Sequence, residues 1–225
     1  MLARLLNLFY PNLCAGCQQP LSTGHSVVCV ACRMQLPYTK FDSLENNPVM
    51  KTFWGRIPLN SATALFYYQK HTIVQKLLHA LKYKNRPDVG EMFGGEMAQL
   101  LAKHQFDQPI DAIVPVPMHR SKLKTRGYNQ SEILAIEIAK HMNKPVDTTM
   151  LKKETITNSQ TKKGRFERWR NSDENFIANK TTYAHILLVD DVITTGATLE
   201  SCAGVLLKEN PQLKISIIAM AYTYR

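Results

Sequence analysis

One stretch of the chain limits its fold more than any other: HILLVDDVITTGATLESCAGVL, residues 185–206. An apolar run at 186–189 is followed by two acids, by a turn rich in Thr and Gly, and by a segment with helical spacing at 198–207. A short strand without polar alternation is typical of a parallel sheet that is covered on both faces. In such sheets, ligands bind beyond the carboxyl ends of the strands. The stretch therefore predicts an α/β fold with a binding site at residues 190–198.

The rest of the chain repeats this alternation of strands and helices. Apolar patterns predict strands at 62–68, 111–116, 186–189 and 215–221, and helices at 73–83, 89–101, 129–142 and 198–207. Residues 152–175 are polar and basic, which predicts a loop or a mobile flap. We expect an α/β, Rossmann-like and mainly parallel sheet that is flanked by helices.

The turn after the two acids has the chemistry of a phosphate site. Gly196 allows a tight turn, and the backbone N–H groups of residues 195–197 can surround an anion at the start of a helix. Thr194, Thr195 and Thr198 add hydroxyl donors. The adjacent carboxylates would repel a phosphate unless they face ribose hydroxyls or a divalent cation. The alternative is an acidic strand end that precedes a helix capped by Thr198.

LLVDDVITTGAT resembles the phosphoribosyl-pyrophosphate (PRPP) signature of the type I phosphoribosyltransferases. The resemblance implies that Asp190 and Asp191 are the catalytic pair and hold the ribose diol. It also implies that the loop holds the 5′-phosphate through Thr194, Thr195, Gly196, Ala197 and Thr198.

A basic segment follows the strand predicted at 111–116, so we expect it at the same edge of the sheet. Arg120, Lys122, Lys124 and Arg126 alternate along it, and residues two apart point the same way in an extended segment. Four cations on one side of a loop could hold a pyrophosphate. In type I phosphoribosyltransferases the corresponding loop contacts the pyrophosphate. The alternative is a solvated basic loop without a ligand.

The cysteines form two hooks, Cys14-x-x-Cys17 and Cys29-x-x-Cys32, that are separated by eleven residues. Two such hooks can complete a tetrahedral Cys₄ site, which leaves no open position and therefore predicts a structural zinc ion. Disulfides and an iron–sulfur cluster are the alternatives. Cys202 lies in a helical apolar pattern and is expected in the core.

These cysteine pairs, the segment PVPMHRSKLKTRGYNQSEILA and the later D-D-V-x-T-T-G-A-T loop together resemble the ComF family of competence-associated phosphoribosyltransferase-like proteins. The resemblance implies binding of PRPP or another ribose 5-phosphate compound, Mg²⁺-dependent phosphoribosyl transfer and a link to DNA uptake. The alternative is a non-catalytic module that binds a nucleotide or single-stranded DNA and contacts competence DNA-handling proteins. Lys163 stands where the family usually has a leucine, which weakens any role carried over to residues 160–176.

Residues 162–176, KKGRFERWRNSDENF, mix cations with aromatic rings. Arg165, Arg168 and Trp169 are therefore candidates either for a lid over the site or for contacts with nucleic acid. A solvated basic helix with its aromatic rings packed inward is the third interpretation.

The composition is compatible with these interpretations. The 28 Lys and Arg against 18 Asp and Glu give a net charge of +10, which favours polyanionic partners. No run approaches the ~20 apolar residues of a membrane span, and the apolar stretch at 5–10 is short for a signal peptide. We expect a cytoplasmic protein with an N-terminal helix and zinc knuckle at 1–36, a linker at 37–58 and a phosphoribosyltransferase-like domain at 59–225.

Overall fold

The computed structural model describes residues 11–22, 27–104, 110–153 and 176–224. The strands within these ranges are β1 (Ser61–Tyr68), β2 (Ala112–Pro115), β3 (Leu151–Lys153), β4 (Phe176–Ala178), β5 (His185–Ile193) and β6 (Lys214–Thr223). The helices are α1 (Val30–Met34), α2 (Pro48–Lys51), α3 (Ile73–Tyr83), α4 (Pro87–Lys103), α5 (Arg120–Arg126), α6 (Gln130–Met142) and α7 (Ala197–Glu209).

Four strands form one parallel sheet in the order β1-β6-β5-β2. In the middle of β5, Val189 pairs with Pro115 of β2 on one side and with Ile218 of β6 on the other. The first five residues of β5 and eight consecutive residues of β6 are buried. Continuous burial of this kind explains why these strands lack polar alternation. The α/β class and the mainly parallel sheet are therefore confirmed, while the phosphoribosyltransferase-like topology stays a prediction.

Each face of the sheet has its own core. On one face, Leu187 and Val189 of β5 pack with buried residues of α3, α4 and α6 and with Cys14 and Cys32. On the other face, Ile186 and Leu188 pack with α7, with the β3–β4 pair and with the segment around α2. The alternation of odd and even positions along β5 thus divides the helices between two layers.

Most predicted elements agree with the structure. The helix predicted at 73–83 has those bounds, and the Asn129 side chain caps α6 by accepting from the Ser131 backbone N–H. Cys202 is fully buried in α7, as expected. The antiparallel pair of β3 and β4 was not predicted, because three-residue strands show no clear periodicity. These strands frame residues 154–175, which lie outside the described residues.

The expectation of an extended basic segment is wrong, because Arg120–Arg126 forms a helix. The His119 side chain accepts from the Ser121 backbone N–H at its start, and Gly127 ends it with a φ of 84°. Residues two apart on a helix do not share a face, whereas residues four apart do. The four cations therefore cannot all lie on one side of this segment.

The segment 37–58, which we predicted as a linker, packs on the sheet and contains α2. Asn47 caps α2 by accepting from the backbone N–H groups of Val49 and Met50, and its amide donates to the Ala62 carbonyl of β1 at 2.8 Å. Val49 and Phe53 are fully buried. No helix among the described residues is long and apolar enough to cross a membrane.

The close packing of α4 on α6 depends on Gly94. A Cβ atom there would lie 2.7 Å from the Cβ of Glu137 and 3.0 Å from the Leu134 carbonyl oxygen. We expect Gly94→Ala to reduce the free energy of unfolding by about 1–3 kcal/mol, because the backbone of α6 must shift.

Gly204 on α7 is the matched control, since a Cβ there meets nothing within 4 Å. Gly204→Ala should increase stability by about 0.5–1 kcal/mol through helix propensity. Urea unfolding of both variants measures the two effects, and a change of the same sign in both would contradict this account of Gly94.

Candidate functional site

The acid pair lies near the carboxyl end of β5, and other elements hold both carboxylates. Asp190 Oδ1 accepts from the Ser131 hydroxyl of α6 at 3.0 Å and from the Asp191 backbone N–H at 2.8 Å. Asp191 is only 8% exposed, and its Oδ1 accepts from the Lys82 ammonium of α3 at 2.9 Å. The two adjacent acids thus have different partners and different surroundings.

The pKa of Asp190 is raised to about 7. Burial of the carboxyl and the charge of Asp191 raise it, and they outweigh the hydrogen bonds from the Asp191 backbone and Ser131 and the charge of Lys82. Near neutral pH, Asp190 is therefore present in both protonation states, so it can donate a hydrogen bond as well as accept one. Such a pair suits neutral hydroxyl groups.

The loop predicted to bind phosphate lies between β5 and α7. Thr194 and Thr195 are exposed, and Gly196 adopts a φ of 77° at the N-terminal cap of α7. A Cβ atom at Gly196 would lie 2.8 Å from the Phe53 ring, so both the turn and the packing require glycine here. Gly196 rather than Thr198 is the cap residue, so the alternative with Thr198 as the helix cap is wrong. Ala197 and Thr198 open the helix, where partial positive charge accumulates.

Arg56 fixes this loop, and the sequence offered no signal for it. Its guanidinium donates to the Thr195 carbonyl at 2.8 Å and to the Thr52 carbonyl at 3.1 Å. It also pairs with Glu200 in the first turn of α7. The segment around α2 therefore supports the loop from the side, through a contact between residues 139 positions apart.

A cleft of about 460 Å³ adjoins the acid pair. It is lined by three cations, by the Tyr83 ring and by polar groups: Lys82, Tyr83, Asn85, Ser121, Lys122, Thr125 and Arg126. The Arg126 guanidinium lies over the Tyr83 ring at 5.0 Å. Because β2 and β5 are parallel neighbours, the segments that follow them open at the same edge, as expected.

Only two of the four predicted pyrophosphate ligands line the cleft. Lys122 and Arg126, four residues apart on α5, line it, whereas Arg120 and Lys124 do not. Lys82 completes the set of cations, although its sequence context indicates only a position within the apolar helix 73–83. A lysine in the last turn of a helix is common, so only the three-dimensional contact with Asp191 identifies it.

The four cysteines of the two hooks come together. Their Sγ atoms lie within 4.8 Å of one another, and those of Cys17 and Cys29 are 3.8 Å apart. A tetrahedral ion with Zn–S bonds of about 2.3 Å requires sulfur–sulfur distances of about 3.8 Å. All four cysteines are free, so the disulfide alternative is not supported. The cluster can hold a structural metal ion such as zinc.

Hydrogen bonds within the cluster favour a thiolate. Burial raises the pKa of Cys14, but the backbone N–H groups of Cys17, Cys29 and Gly16 outweigh it and lower the pKa to about 6. The Cys29 N–H lies 3.3 Å from the Cys14 sulfur. Burial and the neighbouring sulfurs raise the pKa of Cys32. Among the described residues, this cluster is the only group of three or more His, Cys, Asp or Glu that could hold a metal ion.

The remaining predicted site residues cannot be placed. Arg165, Arg168 and Trp169 lie outside the described residues, so the lid, the nucleic-acid contact and the solvated helix all stay predictions.

The raised pKa of Asp190 makes stability depend on pH. The folded chain retains the proton between about pH 4 and pH 7, while the unfolded chain loses it, so stability falls as pH rises through this window. Asp190→Asn should remove this fall. As the pH rises from 4 to 8, its free energy of unfolding should gain roughly 1–3 kcal/mol relative to that of the parent. Chemical denaturation across this pH range provides the measurement.

Asp111 provides a control of opposite sign. Hydrogen bonds from the backbone N–H groups of His185 and Ala184 lower its pKa, with burial acting against them. The ionised Asp111 carboxylate therefore stabilises the folded chain at pH values above its unfolded pKa. We expect Asp111→Asn to lower the free energy of unfolding at neutral pH. A pH dependence that is unchanged in Asp190→Asn would contradict the raised pKa.

The chain is similar in sequence to known proteins over most of their length. The chain is 26% identical over 215 residues to competence protein F of Haemophilus influenzae, covering 90% of this chain and 87% of the relative. It is 26% identical over 213 residues to DNA utilization protein YhgH of Salmonella typhi, covering 89% and 93%. It is 24% identical over 225 residues to competence protein ComFC of Bacillus subtilis, covering 95% and 86%.

No protein-family model matches the chain. The relatives nevertheless align over about nine tenths of it. These similarities to competence and DNA utilization proteins agree with the resemblance to the ComF family found in the sequence.

Proposed function

We propose that the chain binds a ribose 5-phosphate compound, PRPP among them, at the acid pair and the adjoining loop. In this proposal Asp190 and Asp191 hold the ribose hydroxyls, and residues 194–198 hold the 5′-phosphate. One observation supports it above all: an acid pair in which Asp191 is buried, an exposed loop at the start of α7 and a cleft with three cations lie together at the carboxyl edge of one parallel sheet.

The acid pair matches a diol better than it matches a charged group. Two vicinal hydroxyls need acceptors and at least one donor, and Asp190 can supply either because its pKa is raised to about 7. Asp191, which is 8% exposed, accepts from Lys82 at 2.9 Å and thereby keeps a fixed position. A phosphate would be repelled here and instead fits the exposed loop, where the Thr194 and Thr195 side chains adjoin the N-terminus of α7.

The cleft suits the pyrophosphate of PRPP. Lys82, Lys122 and Arg126 line it, and cations spread over several donors stabilise a departing polyanion. In phosphoribosyl transfer, the bond between ribose C1 and a pyrophosphate oxygen breaks, its electrons leave with pyrophosphate, and an acceptor forms a new bond to C1. Mg²⁺, where it takes part, would supply further charge neutralisation on the pyrophosphate.

The names of the relatives suggest where such a protein acts. They are called competence proteins in Haemophilus influenzae and Bacillus subtilis, and a DNA utilization protein in Salmonella typhi. We therefore propose a role in the uptake or use of DNA, in the cytoplasm.

A second candidate is a module that binds single-stranded DNA without turnover. The cleft favours it, because its cations lie beside the exposed Tyr83 ring, and cations with aromatic rings are typical of single-strand binding. Affinity for single-stranded DNA that falls steeply with salt, without release of pyrophosphate from PRPP, would support this candidate over the enzyme.

The ligand proposal predicts a selective pattern of losses. Parent protein should bind both ribose 5-phosphate and PRPP in calorimetry. The double variant Asp190→Asn, Asp191→Asn should lose binding of both ligands. Arg126→Ala should weaken PRPP binding roughly ten- to a hundredfold and leave the affinity for ribose 5-phosphate unchanged. The difference arises because only PRPP has a group that reaches the cleft.

Lys124→Ala provides the matched control, since Lys124 lies on α5 but does not line the cleft. It should bind both ligands like the parent. Equal losses in Arg126→Ala and Lys124→Ala would mean that general charge is responsible, and no binding by the parent would refute the proposed function.

We further propose that the metal in the cysteine cluster is zinc. Purified protein should contain about one zinc ion per chain, and Cys17→Ser should lower this content and destabilise the fold. Cys202→Ser is the control, because Cys202 is buried in α7 outside the cluster. Elemental analysis provides the measurement, and an equal zinc content in both variants would contradict the assignment.

A further inference from the structure

The Lys82–Asp191 ion pair lies between the two halves of the proposed ligand site. The ammonium donates to Asp191 Oδ1 at 2.9 Å, and the same side chain lines the basic cleft. The Lys82 side chain is 21% exposed and that of Asp191 is 11% exposed, so this contact is partly shielded from water. Lys82 therefore faces both the acid pair and the cleft.

The backbone of α3 holds Lys82 in this position. Leu77 and Leu81 on α3 are fully buried in the core, and Leu78 is 4% exposed. The Tyr128 hydroxyl donates to the Leu81 carbonyl at the end of the helix. The backbone of Lys82 is therefore anchored, and the contact with Asp191 at 2.9 Å holds its ammonium in the site.

The acid pair requires a positive charge near it. Two adjacent carboxylates raise each other's energy in the ionised form, and a phosphate on the neighbouring loop would add further negative charge. Asp191 has little solvent to stabilise it, since it is 8% exposed. Lys82 provides the compensating charge from within the chain.

A divalent cation does not fit well beside Asp191 in this arrangement. Mg²⁺ requires oxygen ligands at about 2.0–2.1 Å in an octahedron and keeps several waters. The Lys82 ammonium already lies at hydrogen-bond distance from Asp191 Oδ1. Among the described residues, only the cysteine cluster gathers three or more potential metal ligands, and the acid pair does not.

We propose that Lys82 is a positioning residue that takes the place of a divalent cation at the acid pair, so that ribose 5-phosphate binds without Mg²⁺. This inference rests on the proposed function and narrows it: any Mg²⁺ requirement belongs to ligands that carry a pyrophosphate. Lys82 acts by neutralising Asp191 and fixing its orientation toward the ribose hydroxyls.

The test compares full-length parent protein with Lys82→Met, Lys82→Arg and Lys84→Met. Methionine keeps the apolar stem and removes the charge, and arginine keeps the charge. Lys84 is an exposed lysine two residues further on that does not line the cleft, so it is a control for general charge. Calorimetry measures ribose 5-phosphate binding in excess EDTA and in excess MgCl₂, and thermal unfolding without ligand is recorded in both buffers.

We expect the parent and Lys84→Met to bind ribose 5-phosphate with the same affinity in both buffers. Lys82→Met should bind roughly ten- to a hundredfold more weakly in EDTA, and Mg²⁺ should restore much of this loss by entering the space that the ammonium leaves. Lys82→Arg should keep most of the parent's affinity in EDTA. Mg²⁺ should raise the Tm of Lys82→Met and leave that of the parent unchanged.

Three results would overturn the inference: a parent that needs Mg²⁺ for ribose 5-phosphate, a Lys82→Met variant that binds like the parent in EDTA, or a loss in Lys82→Met that neither Mg²⁺ nor arginine rescues. The last result would assign Lys82 a merely structural role. A parent that binds ribose 5-phosphate in neither buffer would instead refute the proposed function, and the inference with it.

Discussion

The parallel pairing of β5 between β2 and β6 is the constraint on which the rest of the structure depends. Other elements bury β5 on both faces, so its backbone polar groups must be satisfied by its two neighbouring strands along most of its length. The parallel pairing also directs the carboxyl ends of all three strands to one edge, where the chain leaves β5 through the acid pair and leaves β2 toward α5. The acid pair, the loop at 194–196 and the basic cleft meet there because the strands are parallel.

The order of elements along the chain was readable from the sequence because buried strands and amphipathic helices have strong periodic signals. The helix at 73–83 and the cap at Asn129 are examples in which local chemistry alone decides the structure. Arg120–Arg126 was misjudged because alternating charges suit a strand, while the His119 cap and Gly127 favour a helix. Lys82 and Arg56 could not be identified, since their roles depend on contacts with Asp191 and Thr195, more than a hundred residues away. A local pattern carries no information about such contacts.

The cysteine cluster is joined to the same body as the ligand site. Gly16 lies so close to Ile73, at the start of α3, that a larger side chain would collide with it. Arg86, just after α3, donates to the Leu13 carbonyl at 2.9 Å and pairs with Asp88. On α1, Arg33 pairs with Glu96 of α4, which also accepts from the Tyr38 hydroxyl. The knuckle thus packs against both ends of α3, so a metal bound by the four cysteines would also stabilise the helix that carries Lys82.

The two acids at the end of β5 differ in their charge compensation and in their pKa because their environments differ. Lys82 compensates the charge of Asp191, whereas burial and the neighbouring Asp191 raise the pKa of Asp190 to about 7. If both acids were ionised without a cation, their repulsion would oppose folding, and if both were neutral, the site would lose its strong acceptor. One paired carboxylate beside one carboxyl that can hold its proton gives a site of low net charge with both donors and acceptors. In the proposed function, such a site holds neutral vicinal hydroxyls, and the loop and the cleft on either side bind the phosphate groups.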